Sequence, residues 1–532
     1  MKSNKLIDPF SLAWPKKGQA PVGWGQLYGS AYSLAIKEAC ERHPGLVLLL
    51  AESVQQANRL KLELGFFFKN SDYALLSLPD WETLPYDHFS PHQDIVSQRL
   101  LTLYRLPGLN RGVLIVPAMT LMQRLTPASY ISGNVFSINR GDMLNPEIFR
   151  ARLAAGGYRH VAQVMEHGEF AVRGSIIDLY PMGSILPYRI DLFDDEIESI
   201  RSFDPGDQRS QTQHDSIRLL PAREYPLTED GIRQFRTTYR NRFEGNPQNN
   251  PVYRDISDGV AAPGGEYYLP LFFETTHTLF DYLPANTLLI QQAEAPDALR
   301  QFRHDVEARY EQLRHDIERP ILSPDELYLN AEDTLTRCRE LATLTVQHTE
   351  ILADNPDSIP FIANLGSERP PSLLLDPRAE QPSATLQHYL QNFEGRILLV
   401  CESAGRREAL LDILRSGQIH PHHCETWGEF LASGHELCIT VGPLEHGMLL
   451  RPATSQTLCI ITEAQIFGER AQQRRRRKSR QRDAEAIIGS LSDLNIGAPV
   501  VHEEYGVGRY QGLQMLEIGG FTTEFLVLEY AD

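Results

Sequence analysis

Apolar runs and their spacing divide the chain before any single residue type does. Residues 46–51 (LVLLLA) and 113–116 (VLIV) are continuous apolar runs, the mark of strands buried on both faces of a parallel sheet. Helical stretches surround them at 25–40, after a Gly-rich turn, and at 54–67 and 95–106. Strand and helix in alternation predict a sheet wound with helices. Between about 120 and 150 the pattern changes. Residues 145–156 read as a helix with Asn145 as N-cap and Pro146 in its first position. A meander follows over 167–204. In 169–173, Phe170 and Val172 alternate with Glu169, Ala171 and Arg173; in 187–193, Tyr188, Ile190 and Leu192 alternate with Arg189, Asp191 and Phe193. Period two predicts half-buried strands. Gly174, the break at 181–184 and the Asp194-Asp195 turn punctuate them as an antiparallel sheet. Phe193 falls on the polar face with Arg173 and Arg189. An aromatic sharing a face with arginines has the composition of a binding hot spot.

Residues 213–350 return to mixed α/β. Within them, 240–265 is rich in Asn, Pro and Gly and reads as a surface loop; 298–319 is a charged helix ended by Pro320. A Pro- and Ser-rich boundary at 354–383 precedes strand 396–401, helix 406–415 and strands 437–441 and 458–462, a second, small α/β domain. A helical linker then carries the chain to short β segments at 498–502, 508–514 and 525–530. These stop at Asp532 with no closing element, so a small barrel is expected to be cut short there.

Composition narrows the function classes. The chain has 532 residues, 42% hydrophobic and 23% charged, enough for several ordinary cores. Its apolar runs are too short to cross a bilayer, and the N-terminus has no apolar signal core. The six cysteines are scattered without a CxxC, and read as buried thiols in a reducing cytoplasm. A net charge of −18 makes the whole chain a poor non-specific nucleic-acid binder. The exception is 474–482 (RRRRKSRQR). There Arg474, Arg475, Arg476, Arg477 and Lys478 either touch DNA or belong to a solvated linker.

Candidate chemistry is sparse. A phosphate loop needs small residues, a Lys for the β- and γ-phosphates and a Ser or Thr for Mg²⁺. The candidate here is Gly29-Ser30-Ala31-Tyr32-Ser33, with Tyr32 where the Lys belongs. A phenol neutralises no phosphate charge and crowds the site. The loop therefore reads as degenerate, in a P-loop-type sheet without its ATP site. Glu463, after 460–462 (IIT), reads as a strand end. His420, His422, His423 and Cys424 read as a polar surface loop, because adjacent positions point apart and no second ligand pair has zinc spacing. No metal site is expected.

Several stretches together carry a family resemblance. GSAYS (29–33), LPDWETLPYDHFSPHQDIVSQRL (78–100) and the meander resemble the UvrB-homology module of bacterial transcription-repair coupling factors (Mfd). GRILLVCESAGRREALLDIL (395–414) resembles that family's middle domain. PVVHEEYGVGRYQG (499–512) and FLVLEYAD (525–532) resemble its RNA polymerase-interacting domain, a Tudor-like small barrel also found in CarD-type regulators. The match runs end to end, as the N-terminal part of such a protein.

The resemblance implies an organisation: 1–120 and 213–350 as two parts of a UvrB-like α/β domain, 121–212 as an inserted UvrA-binding β domain, 351–468 as the middle domain, 469–494 as a basic linker and 495–532 as the truncated Tudor-like domain. It implies UvrA docking at Arg173, Arg189 and Phe193. It implies contact of the RNA polymerase β subunit with Val501, Glu503, Glu504, Gly506 and Arg509, where a partner strand adds to the edge strand 500–504. The ATP-dependent translocase, with its ATP and Mg²⁺, would follow Asp532, leaving this chain a cytoplasmic, monomeric adaptor without cofactor. In the full protein the UvrA face would be masked until the motor engages DNA. Two departures from UvrB stand out. Tyr32 replaces the catalytic Lys, and the DNA-gripping aromatic hairpin is missing. Trp81, Tyr86 and Phe89 lie instead in a stretch broken by Pro79, Pro85 and Pro91, expected to pack as a compact loop. The competing reading is a UvrB-like, ATP-dependent DNA-handling enzyme with an unusual nucleotide loop.

Overall fold

A computed structural model describes residues 14–352, 361–375, 378, 381–451, 456–468, 497, 499–502, 506–518 and 521–530. The linker 469–494 with its basic run, and Glu503 and Glu504, lie outside the described residues.

The two apolar runs form the centre of a seven-stranded parallel sheet. Leu46–Ala51 lies between Gly112–Pro117 and Leu288–Gln292. Its six residues are all buried, and alternation sends them to two cores: Val47, Leu49 and Ala51 to one face, Leu46, Leu48 and Leu50 to the other. Helix Val54–Phe67 starts where Ser53 caps it, the hydroxyl accepting from the Gln56 amide at 3.2 Å. Outward from these strands the sheet adds Leu75–Ser77 on one side and Ala342–Val346, Val22–Gly25 and Phe361–Asn364 on the other. Its strands therefore come from both sides of the segment 136–219.

That segment holds a second sheet of six strands, in spatial order Ser210–His214, Glu196–Phe203, Tyr188–Phe193, Ile176–Leu179, Glu169–Arg173 and Arg159–His160. The pairs are antiparallel except the last. Phe170, Ile177, Leu179, Ile190, Leu192, Ile197 and Ile200 face the main core, as alternation requires. Helix Pro146–Ala155 begins as its sequence dictates, with the Asn145 side chain accepting from the Glu147 and Ile148 amides, both at 3.1 Å.

Two sequence expectations need correction here. Glu169 and Ala171 fall on the polar face of the meander but are buried. The loop before the strand folds over them: the Glu169 carboxylate accepts from the Met165 and Glu166 amides at 2.8 and 2.9 Å, and Ala171 joins Val164, Tyr180 and Phe203 in a small second cluster. The span 240–265 is a surface loop only in part, largely exposed over 241–249. It contains helix Pro251–Ser257, whose Val252, Tyr253 and Ile256 are buried among Phe235, Tyr239 and Tyr268. Asn250-Pro251 is an N-cap followed by a first-position proline; the Asn250 side-chain Oδ1 accepts from the Val252 amide at 2.7 Å. The same aromatic cluster absorbs Trp81 and Tyr86, so the Pro-rich stretch is compact as expected, while Phe89 remains exposed.

Residues 396–462 form a five-stranded sheet, ordered His422–His423, Leu437–Val441, Arg396–Cys401, Leu458–Thr462 and Met448–Leu450. It is parallel except for the last pair. It docks on the first domain: Phe67 meets Trp427 edge to face at 5.2 Å, and Lys69 Nζ donates to the Glu425 carbonyl at 3.0 Å. Pro499–His502, Gly506–Ile518 and Phe521–Glu529 form a three-stranded antiparallel sheet. The chain is thus multidomain α/β. All six cysteines are buried free thiols. Among the described residues no helix is long and apolar enough to cross a membrane.

Candidate functional site

Strand pairing decides which side chains of the meander meet. Asp178 lies opposite both Ala171 and Arg189, and Ile176 opposite both Arg173 and Asp191. Directly opposed residues share a face, so Arg173, Asp178, Arg189 and Asp191 do. Phe193, two residues beyond Asp191 on the same strand, shares it too.

Asp178 is the hub. Its carboxylate is 1% exposed and accepts from Arg189 Nε at 2.7 Å, Arg189 Nη2 at 3.0 Å and Arg173 Nη2 at 3.1 Å. A buried carboxylate is tolerated only when so paired. The bidentate fork fixes the plane of the Arg189 guanidinium, which also lies over the Phe203 ring at 5.0 Å and donates to the Gln208 carbonyl at 3.3 Å. Hydrogen bonding to Asp178 pushes the Arg189 guanidinium further above its ordinary value. Arg189 is therefore mostly spoken for. Arg173 makes one bond to the hub and leaves its side chain 54% exposed. Phe193 is 70% exposed, at the tip of the hairpin that closes through Asp194 and Asp195. Alternation brought the three residues to one face but did not grade them: Arg173 and Phe193 are presented, and Arg189 holds the platform. Sequence reasoning also missed Arg201, which lies opposite Arg189 and pairs with Asp191. A register shift between Ile197 and Ser199 breaks period two in the strand Glu196–Phe203, so alternation alone does not indicate it.

The loop 29–33 has the opposite character. Gly29 takes a left-handed φ of 54° and starts helix Ser30–Arg42. A Cβ there would overlap the Gly447 carbonyl of the 396–462 sheet domain. The Ser30 amide donates to the His446 carbonyl at 3.1 Å. Ala31 and Tyr32 are buried; the Tyr32 ring stacks on His348 at 4.4 Å and its hydroxyl approaches the Val346 carbonyl at 3.5 Å. Burial pushes its phenol up, so it stays neutral. The Ser33 hydroxyl donates to buried Glu63.

The C-terminal strand Pro499–His502 pairs through one edge with Gly506–Ile518, with Val501 opposite Val507 and His502 opposite Gly506. It forms an outer strand of its sheet among the described residues. Arg509 is exposed and donates to the Gly497 carbonyl at 3.1 Å. Near the His420–Cys424 cluster, His422 stacks on His435 at 4.0 Å, His423 accepts from Arg407 at 2.7 Å, and Cys424 is buried. Glu463 is held by Arg406 and accepts from the Glu402 amide at 3.1 Å.

Three family models match the chain: the UvrB interaction domain over residues 136–225, the MFD D3 domain over 389–466 and the CarD-like/TRCF RID domain over 494–532. The first contains the whole Asp178 face. The chain is 42% identical to a transcription-repair-coupling factor of Escherichia coli over 511 residues, 96% of this chain and 43% of the relative. It is 39% identical to the Haemophilus influenzae protein of that name, again over 96% and 43%, and 27% identical to the Myxococcus xanthus one, over 91% and 42%. The chain thus spans less than half the length of these relatives. With three domain models in sequence order and relatives aligned along nearly all of it, the chain belongs to the family of transcription-repair-coupling factors.

Proposed function

We propose that this chain is a non-catalytic adaptor. In this reading, the Arg173–Phe193 face recruits UvrA, and the strands after residue 495 hold the β subunit of stalled RNA polymerase. The observation that carries it is the exposed Phe193 sharing a sheet face with the exposed Arg173, which is bonded to a buried, fully paired Asp178, within a matched UvrB interaction domain. A large aromatic left in solvent on the same face as a forked donor is an anchor for a partner. The outer strand 499–502 offers main-chain groups for strand addition. Val501, Glu503, Glu504, Gly506 and Arg509 are the positions assigned to polymerase, on a Tudor-like sheet of the CarD type. The six-part organisation with boundaries near 120, 212, 350, 468 and 494 goes with this reading.

The rival reading, a nucleotide-driven enzyme, needs a phosphate cradle at 29–33. We take that loop as a degenerate P-loop, in which Tyr32 and the His446 carbonyl occupy the room and the donor that phosphate would need. ATP and Mg²⁺ are then requirements of the family's translocase and not of docking by this chain, which works as a cytoplasmic monomer. The basic run at Arg474–Lys478 is left to a direct test, salt-dependent DNA affinity with and without residues 474–482.

A bridging experiment tests the adaptor. The chain should hold UvrA and RNA polymerase together. The triple change Arg173→Ala, Arg189→Ala, Phe193→Ala should release UvrA alone, and loss of residues 495–532 should release polymerase alone. Retention of UvrA by the triple variant would overturn the assignment of the face.

A further inference from the structure

The face that carries Phe193 does not end at its hairpin. Residues 141–144 pair with the far side of the strand Glu196–Phe203. The Leu144 amide donates to the Asp195 carbonyl at 2.6 Å, the Ile197 amide to the Asp142 carbonyl at 2.9 Å and the Gly141 amide to the Ile197 carbonyl at 2.8 Å. Met143 thereby sits opposite Glu196, and Glu196 sits opposite Phe193. The first two bonds flank the Met143–Glu196 pair, the antiparallel geometry in which opposed side chains are closest, about 4.5 Å between Cα atoms. Opposed residues share a face, so Phe193, Glu196 and Met143 form one row across three strands, its ends about 10 Å apart. Leu144, next along, turns inward and is buried; Met143 is 73% exposed.

Single exposed apolar residues are ordinary. Met143 differs in its register. Ile185 is exposed in the same sheet domain but lies in the turn before Tyr188, at the opposite end of the strand from Phe193. Met143 is pinned by main-chain bonds beside the aromatic already read as an anchor. The carboxylate between them is flanked by exposed Asp194 and Asp195, while Arg173 supplies the cation elsewhere on the face. The surface is thus two apolar anchors with an acidic group between them and a basic one to the side.

We propose that Met143 is a second apolar anchor of this docking surface. The partner then offers one apolar recess for Phe193, another for Met143 and a cation opposite Glu196. This rests on the reading of the face as the UvrA-docking site. Methionine suits the place because its unbranched thioether adapts to an irregular recess.

Calorimetric titration of UvrA into the whole chain tests it. Met143→Ser should weaken binding about tenfold, more than most interface residues contribute, with an unchanged melting temperature. Met143→Leu should bind as the natural chain does, Glu196→Lys should also lose about tenfold, and Ile185→Ser should lose nothing. If Phe193→Ala weakens UvrA binding while Met143→Ser stays within twofold of the natural chain, the inference fails and the underlying reading stands. If Phe193→Ala has no effect, the reading of the face itself fails. Loss in Met143→Leu as large as in Met143→Ser would also overturn the anchor role.

Discussion

The loop at 29–33 and the face at 173–193 look alike as sequence. Each sets an aromatic among small or polar residues where a binding site would be. In the loop the aromatic is turned inward: Tyr32 is stacked on His348 and buried, and the Ser30 amide is consumed by a carbonyl from the neighbouring domain. On the face the balance is reversed. The charges are paired inside, through Asp178, and the aromatic is left outside. A site is recognised by what its groups have left to offer once the fold has used them. By that measure the first is closed and the second open.

The strongest way to break the contrast is to remove the support of the open face. Arg189→Ala leaves the buried Asp178 carboxylate with Arg173 alone. It should destabilise the sheet domain by about 2–4 kcal/mol, because half of a buried ion pair is lost. Urea denaturation will read this as a lower midpoint at constant slope. Arg189→Ala thus damages platform and surface together, whereas Phe193→Ala tests the surface alone.

On the closed side, Gly29→Ala forces a Cβ into the Gly447 carbonyl at a left-handed φ. The docked loop at 446–447 must shift or the helix start must. A cost of about 1–3 kcal/mol is expected, seen as a lower melting temperature, with no nucleotide binding gained in exchange. Stabilisation of that variant by ATP would mean the loop is a plugged site and not a degenerate one.

The smallest effect concerns how the open face is mounted. His167 Nδ1 meets Asp94 at 2.6 Å and its Nε2 meets the Ser184 carbonyl at 2.7 Å, tying the meander to helix Gln93–Arg105. The hydrogen bond with His167 lowers the Asp94 carboxyl, against the upward pull of burial. A lowered carboxyl contributes stability above its unfolded value, about 3.9, and loses it as pH falls through the lower folded value. The melting temperature should therefore drop in that acid range, and less so in Asp94→Asn.

How much of this was legible follows from range. Period two placed Arg173, Arg189 and Phe193 on one face because register within a strand is local. Caps such as Asn145 and Ser53 were legible or follow simple local rules. What sequence did not show depends on long-range partners. Asp178 becomes a hub only when two other strands flank it. Ala171 and Glu169 vanish under a loop that alternation cannot see. Asn250-Pro251 reads equally as loop or cap until an aromatic cluster collects the residues after it. The loop at 29–33 was read as degenerate from Tyr32 alone; the His446 carbonyl that fills its donor comes from more than 400 residues away.

The central claim is that the face, and not the loop, is where this chain does its work. Titration of UvrA into the natural chain and into Arg173→Ala/Phe193→Ala, each with and without Mg-ATP, tests it most directly. The account predicts a loss of affinity of about a hundredfold for the double variant, in keeping with two anchor residues, whether or not Mg-ATP is present. Equal affinity for the two chains would contradict it.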